Sequence, residues 1–337
     1  MTLPLRTLGR TGLQVSPLTL GSMQFGSLVD EAEAVRLTDM AIEAGINSFD
    51  TANCYTGGRS EEILGRALGK RRAKIVLATK FSVPMDPTDP NAGGTSRRNV
   101  IAACEASLRR LGTDYVDLYY IHRPFTQTAI DETLRALDDL VRSGKILSIG
   151  TSSFAAWQMV QALWCAKDLH LNRPVVEQAA YSLLDRRAER ELVPAALTNG
   201  VGLTVWSPLV GGLLTGKYLH GNDAKVRLSR DDAAWGARHF TPAADAAVAA
   251  LSAVAEKADI TLTAMSLAWT LQRPGIASVV LGPRNVAQFA EQLAAQAVTL
   301  HAELLAEIDT IVSPGGVTVP YFLDDSWADF RPQPFGW

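Results

Sequence analysis

Short apolar runs recur along this chain, and each is closed by a polar or turn-forming residue. They lie at 18–20, 46–49, 75–79, 115–121, 146–149, 174–177, 202–206 and 277–281. Most ends fall about 30 residues apart, the length a crossover helix needs to return to a parallel neighbour. Helix-like periodicity fills residues 32–44, 96–111, 130–142, 155–170 and 188–198. In the second of these, Val100, Ile101, Cys104, Leu108 and Leu111 share one face. Gly45, Gly112 and Gly200 stand just past helix ends, where a left-handed residue fits. Eight such units without a break in composition predict an α/β fold, a single (β/α)8 TIM barrel over residues 1–337. A doubly wound sheet fits less well, because no G-x-G-x-x-G turn follows any of the runs.

Three segments exceed a minimal barrel. Residues 5–15 read as a hairpin around Gly9-Arg10-Thr11-Gly12, expected to cap the barrel bottom. Residues 207–240 form a long Gly-, Lys- and Arg-rich stretch after the seventh strand, expected to be a functional lid or binding loop. Beyond an extra C-terminal helix, residues 312–337 carry Tyr321, Phe322, Trp327, Phe330, Phe335 and Trp337. Such an aromatic tail is expected to pack over the barrel mouth or at a subunit contact.

The chain is 47% hydrophobic and 20% charged, an ordinary globular composition. A net charge of -3 offers no reason to expect nucleic acid or an anionic membrane as partner. Cys54, Cys104 and Cys165 have no metal spacing, so free thiols in a reducing compartment are expected. No window reaches the roughly 18 apolar residues of a membrane span, and the N-terminus lacks a secretory apolar core. The expected location is the cytoplasm. Monomer and homo-oligomer stay equally open.

The polar residues at the strand ends carry the functional signal. Residues 49–68 read FDTANCYTGGRSEEILGRAL: a strand closed by Asp50, a loop bearing Tyr55, then a helix opened by Ser60, Glu61 and Glu62. The third strand ends at Lys80, the fourth at His122, the fifth at Ser152 and Ser153, and the sixth at Gln178. The seventh ends at Trp206 and Ser207, the eighth at Gly282 and Arg284. In a barrel these ends converge on one face. A free tyrosine, with a pKa near 10, donates a proton poorly at neutral pH, and an adjacent ammonium stabilises its phenolate. Lys80 can serve, Asp50 can hold it charged, and His122 can orient a carbonyl. Such a set suits conversion of a carbonyl to an alcohol. The hydride must then come from a reduced nicotinamide.

On these residues the chain resembles the aldo/keto reductases. The likeness runs through LGRTGLQVSPLTLGSMQFG at 8–26, FDTANCY at 49–55, WSPLVGGLLTGKY at 206–218 and LGPRN at 281–285. It implies a barrel that binds extended NADPH without a Rossmann domain, and the catalytic tetrad Asp50, Tyr55, Lys80 and His122. It also implies that Ser152, Ser153 and Gln178 hold the nicotinamide carboxamide, with Ser153 where the family has Asn. Trp206 would stack on the nicotinamide, and Gly21 and Met23 would meet its ribose. Ser207, Leu209, Gly211 and Lys217 would line the pyrophosphate. Gly282, Arg284, Gln288, Glu291 and Gln292 would take the adenosine end, with Arg284 on the 2′-phosphate, because a guanidinium grips phosphate bidentately.

The resemblance implies a small carbonyl substrate. Two other readings stay open: a nucleotide-sugar keto or enoyl reductase of deoxysugar assembly, and a non-enzymatic NADPH-binding regulatory subunit. With the hairpin starting by residue 5, no partner-binding N-terminal extension is expected, which favours the enzyme. Specificity is expected from Gln24, Val29, residues 84–94, Phe125 and the tail. Cys54, beside Tyr55, is a candidate redox switch with nothing nearby in sequence to lower its pKa.

Overall fold

The computed structural model describes residues 4–219 and 236–319. It opens with an antiparallel hairpin, β1 (Arg6–Thr7) and β2 (Gln14–Val15). Eight parallel strands follow: β3 (Leu18–Gly21), β4 (Ser48–Asp50), β5 (Val76–Phe81), β6 (Val116–Ile121), β7 (Ile146–Ser152), β8 (Pro174–Ala180), β9 (Gly202–Trp206) and β10 (Ile276–Leu281). They close in the order β10-β3-β4-β5-β6-β7-β8-β9, and β9 pairs back to β10. The expected (β/α)8 TIM barrel is therefore present.

Helices cover the outside of the barrel: α1 (Glu31–Glu43), α2 (Arg59–Leu68), α3 (Arg97–Leu111), α4 (Ile130–Arg142), α5 (Ala156–Asp168) and α6 (Leu192–Asn199). After β9 come α7 (Gly236–His239), α8 (Pro242–Lys257) and α9 (Leu262–Leu271); after β10 come α10 (Val286–Ala294) and α11 (Ala302–Ile311). Local chemistry sets many of their starts. Asp30, Ser96, Thr241, Thr261 and Asn285 each cap a helix by accepting a backbone N–H from its first turn. None of the helices among the described residues is long and apolar enough to cross a membrane.

The hairpin closes the N-terminal end of the barrel. Leu8 and Val15, both buried, pack with Val76, Ala78, Leu118, Tyr120, Val176 and Ala277 from the barrel interior. The seat is tight at two glycines. A Cβ on Gly9 would lie 2.6 Å from the Gly202 nitrogen, and one on Gly202 2.7 Å from the Gly9 nitrogen.

Some details depart from the periodicity. Residues 188–198 are not one helix: a 3-10 turn at Arg187–Glu189 precedes α6. The long interval before β10 holds two full helices, α8 and α9, that the periodicity does not mark. β8 extends to Ala180, so Gln178 lies within the strand instead of ending it. Of the 207–240 stretch, residues 220–235 lie outside the described residues, as does the aromatic tail from 320 onward.

Candidate active site

Parallel register brings the strand ends to one level. Gly21 pairs with Asp50, Asp50 with Ala78, Lys80 with Tyr120, and Gln178 with Ser152. Asp50 and Lys80 are both buried, and Tyr55 and His122 are half-buried at the mouth. The Lys80 ammonium donates to Asp50 Oδ1 at 2.5 Å, to the Thr51 carbonyl at 2.8 Å and to the Tyr55 hydroxyl at 3.2 Å. The His122 ring stands edge-on to Tyr55, centroids 5.6 Å apart, and its Nδ1 lies 3.7 Å from Cys54 Sγ. The four residues expected to act together therefore meet.

Electrostatics refine that expectation. Burial pushes the Tyr55 phenol above its ordinary value, and Lys80 pulls it back only in part. Burial also works against a charged Lys80, but Asp50 and Tyr55 outweigh it and raise its pKa, so the lysine stays protonated. Burial, Lys80 and Arg123 hold His122 well below the usual histidine range, leaving the ring neutral at physiological pH. The Cys54 thiol is pushed up by burial, which disfavours the reactive thiolate a redox switch needs.

The loop that carries Tyr55 is braced from behind by residues whose role is not legible in sequence. Ser60 Oγ donates to the Ser22 carbonyl at 2.7 Å and lies 2.8 Å from Ser22 Oγ and 3.0 Å from Thr51 Oγ1. Glu61 reads as a first-turn helix acid, yet it is wholly buried. It accepts from Thr79 Oγ1 at 2.5 Å and from Arg110 Nε at 2.6 Å. Only the acid three residues after a turn glycine hints at this.

The remaining expected residues surround the tetrad. Ser152 Oγ and the Ser153 N–H both donate to the Gln178 carbonyl, at 3.0 and 3.1 Å. Ser153 has φ 60, a left-handed conformation in which Asn is favoured. The Gln178 side chain is buried and turned toward the tetrad: its Nε2 donates to Asp50 Oδ2 at 2.9 Å. Met23 is exposed and Trp206 half-buried at the same end. Gly21 meets β10 closely, since a Cβ there would lie 2.8 Å from Val280 Cγ1.

Beyond β9, Ser207, Val210, Gly211 and Gly212 all take positive φ. The Val210 and Gly212 N–H groups close these turns onto the Ser207 and Leu209 carbonyls, at 3.0 and 2.9 Å. Leu209 is half-buried beside them, and the Lys217 ammonium lies against Gly212, 2.8 Å from where a Cβ would stand. Beyond β10, Gly282 opens onto free space, with nothing within 4 Å of its Cβ position. The Arg284 N–H donates to Gln288 Oε1 at 3.0 Å at the start of α10, and Glu291 is exposed further along it. Gln292 is 8% exposed, and its Oε1 has no hydrogen-bond partner among the described residues. The buried, unpartnered Gln292 oxygen and the open space at Gly282 fit a ligand with a hydrogen-bond donor at this end.

Comparison with known proteins agrees with this geometry. The model of the aldo/keto reductase family matches residues 17–313. The chain is 39% identical over 324 residues to "Uncharacterized oxidoreductase YrpG" of Bacillus subtilis, covering 92% of this chain and 97% of that one. It is 37% identical over 317 residues to "Probable voltage-gated potassium channel subunit beta" of Oryza sativa subsp. japonica, covering 91% and 96%. A protein of Arabidopsis thaliana with the same name is 37% identical over 298 residues, covering 86% and 90%.

Proposed function

The chain belongs to the aldo/keto reductase family, oxidoreductases that bind a nicotinamide cofactor, and we propose that it reduces an aldehyde or ketone to an alcohol with NADPH. The observation that carries this reading is Lys80 bonded at once to Asp50 and to the Tyr55 hydroxyl. That arrangement sets a phenol beside a lysine that its neighbours keep protonated.

When bound, NADPH supplies hydride to the carbonyl carbon. Tyr55 gives its proton to the carbonyl oxygen, so the products are the alcohol and the oxidised cofactor. Lys80 stabilises the phenolate left behind, and Asp50 keeps Lys80 charged and in place. Neutral His122 orients the substrate oxygen. With its Nδ1 turned to the Cys54 thiol, Nε2 is the nitrogen left to donate. Ser152, Ser153 and Trp206 would hold the nicotinamide end, Ser207, Leu209, Gly211 and Lys217 the pyrophosphate, and Arg284 with Gln288 and Gln292 the adenosine end.

The test is NADPH consumption with a panel of aldehydes, ketones and α-dicarbonyls, wild type against Tyr55→Phe. We expect turnover in wild type and a loss of orders of magnitude in the variant. The relatives named as channel β subunits favour a second reading, a regulatory NADPH-binding subunit. Tight NADPH binding with no turnover of any substrate in the panel, sugar-nucleotide ketones included, would replace the first reading with that one.

A further inference from the structure

Asp50 needs two donors, and Lys80 supplies only one. Its carboxylate is buried, and a buried charge is tolerated only when its lone pairs are matched. Lys80 Nζ takes Oδ1 at 2.5 Å. The other oxygen accepts from Gln178 Nε2 at 2.9 Å, across the barrel from a strand 128 residues further on. Beneath this contact only a cavity of about 10 Å³ remains, lined by Asp50, Gln178, Tyr120 and Thr204 among others. It is about the size of one water, too small for the amide to swing into.

Gln178 works at both ends. Its main-chain carbonyl accepts from Ser152 Oγ at 3.0 Å and from the Ser153 N–H at 3.1 Å. One residue therefore ties the Ser152–Ser153 corner, where the nicotinamide would sit, to the carboxylate that holds Lys80. The choice of an amide has a physical reason. A second cation on Asp50 would compete with Lys80 for its charge, and a hydroxyl is too short to cross the barrel. An amide donates without adding charge and does not lose its proton.

We propose that Gln178 is a positioning residue for proton transfer, which locks Asp50 and through it aims Lys80 at Tyr55. This rests on the reductase reading for its kinetic consequences, although the contact itself does not. The titratable groups around the pair are Lys80 from β5, Tyr120 from β6, Tyr55 from the loop after β4 and His122 beyond β6; Glu177, one residue back on β8, turns to the opposite face, toward the Phe154 N–H.

The test uses the full chain with Gln178→Leu and Gln178→Glu. With Gln178→Leu we expect kcat to fall about tenfold or more, because a loosened Lys80 misplaces the proton donor. The fall is read at saturating NADPH, so that any weakening of cofactor binding is separated from misplacement of the proton donor. Gln178→Glu separates the roles further. Its neutral carboxyl can donate to Asp50 as the amide does; its ionised form sets two negative charges together. Its kcat should approach wild type at acidic pH and fall as pH rises through the pair's titration. Loss of NADPH affinity with kcat intact, or a Gln178→Glu profile parallel to wild type, would overturn the proposal.

An unfolding cycle decides the contact even if wild type reduces nothing. Gln178→Leu and Asp50→Asn, alone and combined, are compared by denaturant unfolding without cofactor. Non-additive losses, together with a stability of Gln178→Glu that falls more steeply above the ordinary glutamate pKa with Asp50 than with Asn at position 50, support the coupling. Additive losses with no Asp50-dependent pH slope refute it.

Discussion

Lys80 spans the site: its ammonium sits 2.5 Å from Asp50 Oδ1 and 3.2 Å from the Tyr55 hydroxyl, with no exposure of its own. A cation so placed holds a structural partner and a chemical one at once. Removing it should be felt in both.

Lys80→Met should therefore destabilise the fold as well as abolish reduction. It leaves the Asp50 charge buried without its ion-pair partner, a loss of about 3–5 kcal/mol. Asp50 and Tyr55 raise the Lys80 pKa despite burial, so its contribution is complete below the ordinary lysine value near 10.4. It fades only as pH climbs through the higher folded-state value. Denaturant unfolding should show a constant deficit across neutral pH. A deficit that vanishes at neutral pH would mean the pair does not stabilise the fold.

Glu177 predicts the opposite pH behaviour for its variant. Burial pushes its carboxyl up to about 8; one oxygen accepts from the Phe154 N–H at 3.1 Å, while Oε2 has no partner among the described residues. A carboxyl with a raised folded-state pKa costs stability as pH rises from its unfolded value toward the folded one. Glu177→Gln keeps an oxygen for Phe154 and carries no charge. Its Tm should match wild type near pH 4, exceed it progressively up to about pH 8, and hold a constant lead above that. Parallel Tm curves for the two proteins would show that folding does not raise the Glu177 pKa.

Ser153→Asn should raise Tm by about 1–3 °C. The residue sits at φ 60, where the left-handed penalty of about 1–2 kcal/mol is smallest for Asn among non-glycine residues. It should also tighten NADPH binding if the corner holds the carboxamide, since an amide reaches further than a hydroxyl. Thermal unfolding and fluorescence titration measure the two effects separately.

Arg284→Ala should weaken NADPH about 10- to 100-fold while leaving NADH nearly unchanged, the loss of one charge-assisted contact of about 1.5–3 kcal/mol. Equal losses for both nucleotides would place Arg284 away from the 2′-phosphate.

The barrel was legible before folding because its signals are local. Apolar runs, the caps Asp30 and Ser96, and the left-handed Gly45, Gly112 and Gly200 each depend on a few neighbouring residues. Eight strands of one sense at crossover spacing leave few ways to close, and closure puts Asp50, Lys80 and His122 on one rim. The strand-loop-helix pattern of residues 49–68 added Tyr55 to that rim, and the likeness of WSPLVGGLLTGKY to the aldo/keto reductases implied a cofactor loop beside it.

By itself, then, the sequence determined the architecture and which side chains reach the mouth. Tertiary structure decided what those side chains do to one another. Glu61 looks like an ordinary first-turn helix acid in sequence and Glu177 like the last residue of a strand, and both carboxyl groups are fully buried. Gln178 looks like a residue of the mouth, and its amide turns inward to Asp50. The physical reason is range. Period and turn chemistry act over a few residues, whereas desolvation and hydrogen-bond partners depend on which distant strands closure makes neighbours.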